Sequence, residues 1–266
     1  MTELVFLKLG GSLITDKSQP YTPRLDKLAD LAAQIQSALQ SNPELSLVVG
    51  HGSGSFGHTA AKQYGTRQGV TTRQQWLGFD EVWYQAATLN RFVVEALHQA
   101  GVPALALAPV SAITSSNGKI AAWELMPIRA ALEAGLVPVV YGDVIFDTML
   151  GGTILSTEDL FEHLARALRP QRILLAGLEQ AVWADFPQRQ QRIAKIISKS
   201  FEIIKAGVGA SHATDVTGGM ETKVGQMLAL VDEIPGMSAQ IFSGEAAGNL
   251  QRTLSGEHLG TIITFE

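Results

Sequence analysis

Val48-Val49-Gly50-His51-Gly52-Ser53-Gly54-Ser55-Phe56-Gly57-His58 links an apolar run, Leu45 to Val49, to a segment that can continue as a helix, Thr59 to Tyr64. A short apolar run bounded by turn residues reads as a buried strand. Strand, glycine-rich turn and helix start together make an anion site. Glycines let the backbone approach closely and take positive φ, and the free N–H groups at the helix start face the ligand. Two histidines and two serines in this turn suit phosphate better than a mere reversal of direction. The spacing Gly52-x-Gly54-x-x-Gly57 also fits a dinucleotide fingerprint, which needs a second strand ending in an acidic residue about 20 positions on. Here Arg73 to Ala100 reads as helix, with Asp80 and Glu81 inside it and no strand before them. On this loop alone a nicotinamide site and a purely structural turn stay open beside phosphate binding, which is favoured.

Outward from the turn, strands and helices alternate. Leu4 to Leu9 is an apolar strand interrupted by Lys8 and closed by Gly10-Gly11-Ser12. Arg24 to Gln40 spaces Leu25, Leu28, Leu31, Ile35 and Leu39 at a helical period. Downstream come a long helix to Ala100, a strand over Val102 to Leu107, a helix over Glu124 to Ala134, and a strand over Leu136 to Tyr141 ending at Gly142-Asp143. Val144 to Asp147 and Thr153 to Leu155 flank Gly151-Gly152 as a hairpin, and Ser156-Thr157-Glu158-Asp159 signals the start of a helix through Leu168. Arg172 to Ala176, Ala239 to Phe242 and Gly260 to Phe265 read as strands, and Gly219 to Val231 as helix. Lys195 to Ala206 is mixed, and Val208 to Val216 is a polar loop. This alternation predicts an α/β fold, a three-layer αβα sandwich with an open, mainly parallel sheet. Residues 1–266 read as a single domain whose two halves share one ligand cleft.

Composition narrows the function. With 46% hydrophobic and 17% charged residues the chain is an ordinary globular one, and its net charge of -5 argues against a nucleic-acid partner. Zero cysteines exclude disulfides and thiolate metal sites. Met1-Thr2-Glu3 runs straight into a strand, without the features of a secretory signal, and no stretch reaches transmembrane length. A cytoplasmic protein with no membrane partner is expected.

The lysines carry the chemistry. Lys8, at a strand end beside Gly10-Gly11-Ser12, can reach the cleft at the carboxyl edge of a parallel sheet, although a surface lysine on an edge strand reads similarly. Lys17 lies on the loop after Gly11, where a solvated charge is the plain alternative. A Walker reading of Gly11 to Ser18 fails, because Asp16 stands where the second glycine belongs. Lys223 follows Asp215-Val216-Thr217-Gly218-Gly219-Met220 by one helical turn and can reach an anion held over the helix N-terminus. Lysines on glycine-flanked elements suit a transferring phosphoryl group, whose chemistry depends on positioning and charge neutralisation.

Lys8-Leu9-Gly10-Gly11-Ser12, the His51 to His58 loop, Gly142-Asp143 and the Asp215 to Met220 run resemble the amino acid kinase superfamily in order and spacing, over the whole chain. The second and fourth, with Asp16-Lys17, resemble one branch, the isopentenyl phosphate kinases. The resemblance implies direct in-line transfer of the ATP γ-phosphoryl group to isopentenyl phosphate. It assigns an acceptor half at about 1–170 and a nucleotide half at about 171–266, and it implies a homodimer. Lys8 and Lys17 would neutralise the transferring group, and Lys223 would hold ATP phosphates. Gly10, Gly11, Ser12, Gly54 and Gly219 would pack against the nucleotide, while Gly52, Ser53 and His58 would hold the acceptor's phosphate. Asp143 would orient the lysines, since an ionised phosphate acceptor needs no general base. Mg²⁺ would arrive bridging the phosphates of ATP, with no carboxylate cluster to cage it.

Trp76, Phe79 and Trp83 recur at helical spacing and either line the pocket for a five-carbon tail or belong to the core. Two stretches depart from the family pattern. Gly177-Leu178-Glu179-Gln180-Ala181 stands where Thr-Asp-Val-Asp-Gly is usual, which bears on nucleotide affinity. Ser156-Thr157-Glu158-Asp159 stands for Ser-Gly-Asp-Asp, which puts the Thr157 side chain near the acceptor phosphate. The competing readings are a kinase of a phosphonate of the fosfomycin type and a non-catalytic nucleotide or phosphate sensor. Retention of Lys8, Lys17, His58 and Lys223 argues against the sensor.

Overall fold

A computed structural model describes residues 3–208 and 219–266, with the side chains of His58, Thr59, Ala206 and Gly207 outside that description. The Asp215-Val216-Thr217-Gly218 run and nearly all of the expected polar loop also lie outside the described residues. The chain begins with β1 (Glu3–Leu9), α1 (Gly11–Ile14), α2 (Leu25–Ser41), β2 (Leu45–His51), α3 (Gly54–Tyr64) and α4 (Arg73–Gln99). There follow β3 (Ala104–Ala106), α5 (Pro109–Ala112), β4 (Ile113–Ser116), β5 (Lys119–Trp123), α6 (Met126–Glu133), β6 (Val137–Tyr141), β7 (Asp143–Asp147) and β8 (Gly151–Leu155). Next come α7 (Thr157–Leu168), β9 (Arg172–Gly177), β10 (Val182–Trp183), β11 (Arg192–Ile193), β12 (Lys195–Ile196) and α8 (Ser198–Val208). Beyond the undescribed segment are α9 (Met220–Glu233), β13 (Ser238–Ser243), α10 (Asn249–Leu254) and β14 (Thr261–Ile263).

An eight-stranded sheet runs in the order β12-β14-β13-β9-β1-β2-β6-β3. Its six strands from β13 to β3 are parallel, and β14 returns antiparallel beside β13. The two-residue period of β1 explains the layers. Val5, Leu7 and Leu9 join one cluster with Leu31 and Ile35 of α2, Leu89 and Val93 of α4, and Leu250 of α10. Phe6 points the other way, to Val48, Val140, Phe161 of α7 and Met227 of α9. Each fully buried Phe or Leu contributes roughly 2 kcal/mol to this packing. Helices therefore cover both faces, and the fold is the expected three-layer αβα sandwich with a mainly parallel sheet. Lys8 shares the Phe6 face, at the carboxyl end of the strand.

The structure adds elements between Leu107 and Glu124 that apolar alternation does not reveal. β4 and β5 are short, and β5 is largely exposed. Their turn carries Asn117 and Gly118 at φ +52° and +74°, the pairing that favours a tight hairpin. β4 then pairs with β7, extending the expected hairpin into a second sheet, β5-β4-β7-β8. Asp147 ties the two turns together. Its carboxylate accepts from the N–H groups of Asn117, Gly118, Met149 and Leu150 and from the Ser115 hydroxyl, at 2.8–3.0 Å. Burial opposes that charge, but these donors outweigh it and hold the carboxyl well below its usual range. Among the described residues no helix is long and apolar enough to cross a membrane.

Candidate active site

The carboxyl ends of β1 and β2 lie side by side in mid-sheet, where parallel strands leave a crevice for ligands. Gly10 donates its N–H to the Ala176 carbonyl at the end of β9 (2.8 Å), and Gly52 donates to Leu9 (3.0 Å). These bonds lay the turn after β1 against the loop after β2, backbone to backbone. A Cβ on Gly11 would collide with the backbone nitrogen of Gly54. Gly54 itself has φ +49°, and a Cβ there would collide with Thr15 Oγ1. Glycine is therefore required at both positions. The N–H groups of Gly11, Ser12, Ser53 and Gly54 make no hydrogen bond to other described residues. Four such amides around one cavity form an anion cradle.

That cavity, of about 250 Å³, is lined by all three candidate lysines, Lys8, Lys17 and Lys223, and by Gly10, Gly52 and Thr157. Lys8 is buried and ion-paired with Glu158 in the first turn of α7, itself buried. Burial opposes the charge of Glu158, but the Lys8 and Lys223 ammoniums outweigh it and hold the carboxyl below the usual range. Lys223 sits at the start of α9, where its N–H donates to the carbonyl of the capping residue Gly219 (3.3 Å). Lys17 is exposed on its loop. Ser53 begins α3, and its hydroxyl occupies the space that a side chain on Gly57 would need. His58 belongs to the same helix, with its side chain outside the described residues.

Several assignments shift. The carboxylate that pairs with Lys8 is Glu158, not Asp143. Asp143 accepts instead from the backbone N–H groups of Val144 (2.8 Å) and Val110, and burial pushes its carboxyl up to about 7. Thr157 lines the cavity with its hydroxyl engaged by backbone groups. Its hydroxyl donates to the His51 carbonyl (2.6 Å) and accepts from Gly142 N–H (3.1 Å), while its methyl packs over Gly50. The added side chain thus clamps the ends of β2 and β6. His51 is buried behind the loop, stacked on Tyr141, with Nδ1 against the Gly52 carbonyl and Nε2 against Asn90 (3.1 Å each). Burial lowers its pKa to about 4 and keeps it neutral.

None of the three candidate aromatics lines the cavity. Trp76 and Phe79 stack with Phe146 of β7, ring centroids 5.1–6.0 Å apart, and Trp83 is exposed. The apolar wall comes instead from Ala61 of α3, Val82 and Ala86 of α4, and Ile154 of β8. Phe79 clusters with Val82 and Ile154 behind that wall. At the opposite end Gly177, Leu178 and Glu179 line the cavity. Glu179 takes Arg189 in a two-oxygen grip (2.7 and 3.0 Å) and accepts from Trp183 Nε1 (3.1 Å), so it braces the turn where the family aspartates are missing.

The amino acid kinase family profile matches residues 3–243. The chain is 34% identical to the isopentenyl phosphate kinase of Methanothermobacter thermautotrophicus, over 98% of this chain and 99% of that one. It belongs to the amino acid kinase family. The isopentenyl phosphate kinase of Haloferax volcanii is 35% identical, over 99% of both chains. An X-ray structure of an isopentenyl phosphate kinase superposes with a TM-score of 0.83 at 30% identity, covering 98% of this chain and all of that one. Within the amino acid kinase family the chain groups with the isopentenyl phosphate kinases. Sequence reasoning on this family member missed Glu158, because an acidic residue there also reads as an ordinary first-turn charge. It missed Val82 and Ala86 as well, although they share the apolar stripe of α4 with Phe79.

Proposed function

We propose that this member of the amino acid kinase family phosphorylates isopentenyl phosphate with ATP, giving isopentenyl diphosphate and ADP. The observation that carries this reading is the two-ended cavity. A cradle of free amides among three lysines continues into a short chamber walled by Ala61, Val82, Ala86 and Ile154. An acceptor with an anionic head and a small hydrocarbon tail matches both ends.

In this reading Gly52, Ser53 and His58 hold the acceptor's phosphate, and Gly10, Gly11, Ser12, Gly54 and Gly219 border the nucleotide phosphates. An acceptor phosphate oxygen, already ionised, attacks the γ-phosphorus in line. The new P–O bond forms as the bond to ADP breaks, and no proton need move. Lys8 and Lys17 neutralise the transferring group and Lys223 the nucleotide's phosphates, which is where most of such catalysis lies. Glu158 holds Lys8 in place. Among the described residues no cluster of carboxylates or histidines could cage a metal. Mg²⁺ would arrive carried on ATP, where it would offset phosphate charge. We assign residues up to about 170 to the acceptor and the remainder to the nucleotide, and place the reaction in the cytoplasm. The long α4, with Leu77 and Tyr84 exposed seven residues apart, is our choice for a homodimer contact.

The test is ATP turnover with Mg²⁺ against isopentenyl phosphate, dimethylallyl phosphate, fosfomycin and no acceptor. Saturable turnover with isopentenyl phosphate is expected. Preference for fosfomycin would move the function to a phosphonate, and ATP left unconsumed across the panel would favour a sensor.

A further inference from the structure

Thr15 lies outside the cavity wall, buried, yet it touches both the turn after β1 and the loop after β2, which line the cavity. Its hydroxyl donates to the Gly11 carbonyl (2.7 Å) and accepts from the Ser55 N–H (3.0 Å). It therefore bonds the turn after β1 to the loop after β2. The requirement for glycine at position 54 has the same origin, since the Thr15 oxygen sits where the Cβ would go.

Thr15 also opens the loop that carries Lys17. Thr15 and Pro23 form an isolated antiparallel bridge, and Asp16 N–H donates to the Thr22 carbonyl (2.9 Å). Within the loop Asp16 accepts from the Ser18 N–H (2.8 Å) and hydroxyl (2.7 Å), which tightens the turn under Lys17. Ser55 holds the far side, accepting from Tyr21 N–H at its carbonyl and from Thr22 N–H at its hydroxyl, both at a loose 3.5 Å. The Thr15 hydroxyl makes a short, buried contact in this clasp.

We propose that Thr15 is a positioning residue for phosphoryl transfer, setting Lys17 in register with the acceptor loop. This rests on the kinase reading above. Lys17 itself is exposed, so it lacks the burial that fixes Lys8. A displacement of about 1 Å at a reacting centre can cost about a hundredfold in rate.

The experiment compares Thr15→Val, which keeps the volume but loses the hydroxyl, with Thr15→Ser, which keeps it. Thr15→Val lowers kcat at least about tenfold and leaves the KM for ATP within about threefold, while Thr15→Ser stays within about threefold of wild type. The effect runs through Lys17. In a Lys17→Met background, followed by radiolabelled ATP, Thr15→Val therefore costs less than about twofold more. Equal impairment by Ser and Val, a full additional loss without Lys17, or a lower Tm with unchanged kcat would each overturn the proposal. Ser55→Ala, which removes the hydroxyl that accepts from Thr22 N–H, gives a smaller loss with the same dependence on Lys17. It decides the matter if Thr15→Val does not fold. All variants are assayed with the acceptor that wild type turns over. Wild-type silence with isopentenyl phosphate then counts against the substrate, and lost coupling with an active acceptor counts against Thr15 alone.

Discussion

At the scale of the residue, the site depends on a carboxylate kept charged where burial disfavours it. Glu158 stays ionised because Lys8 and Lys223 face it, and Lys8 tolerates burial because Glu158 answers its charge. Removing one partner of such a pair costs about 3 kcal/mol, since the other charge is left stranded. Glu158→Gln keeps the shape and is expected to lower both Tm and kcat, the latter at least about tenfold as Lys8 loses its fixed place. Steady-state kinetics and thermal unfolding check this, and kcat within twofold of wild type would remove Glu158 from the machinery. The lysines were legible in the sequence because a lysine inside an apolar strand, or one turn past a glycine run, is out of keeping with its neighbours. Glu158 was not, because the same letters make a good helix start. Thr157 shows a similar limit. Its presence was plain, but not that its hydroxyl bonds the backbone at the ends of β2 and β6.

Among the elements, the helices and the central strands follow from periodicity. The second sheet does not, because β4 and β5 are short, β5 is largely exposed, and the pairing of β4 to β7 is a long-range event anchored by Asp147. That sheet matters to function, since β8 supplies Ile154 to the chamber and α4 packs against β7. Helical spacing alone marked Trp76, Phe79 and Trp83 equally. The structure separates them, placing two in an aromatic stack and one toward solvent, while Val82 and Ala86 meet the cavity. Val82→Ala is accordingly expected to admit longer prenyl phosphates such as geranyl phosphate, and Trp83→Ala to leave the acceptor range unchanged. Competition assays across chain lengths check both. A broadened range in the Trp83 variant alone would move the chamber to the other face of α4.

In the whole molecule, the halves proposed for the acceptor and for the nucleotide share one sheet and one pair of core layers. β9 pairs directly with β1 over five residues, so the loops proposed to hold the two phosphate groups stand at adjacent strand ends. The parallel sheet and the lysines at strand and helix ends were legible in the sequence, whereas the pairing of β9 with β1 was not, because alternation of elements leaves strand order open. The proposed reaction has the two substrates meet across that edge and transfer directly, with no phosphorylated protein between them. The measurement that tests this most directly uses ATP made chiral at its γ-phosphorus with oxygen isotopes. The configuration of the transferred phosphoryl group is then read in isopentenyl diphosphate. Inversion is predicted, as a single in-line displacement requires. Retention, which needs two displacements, would contradict the account.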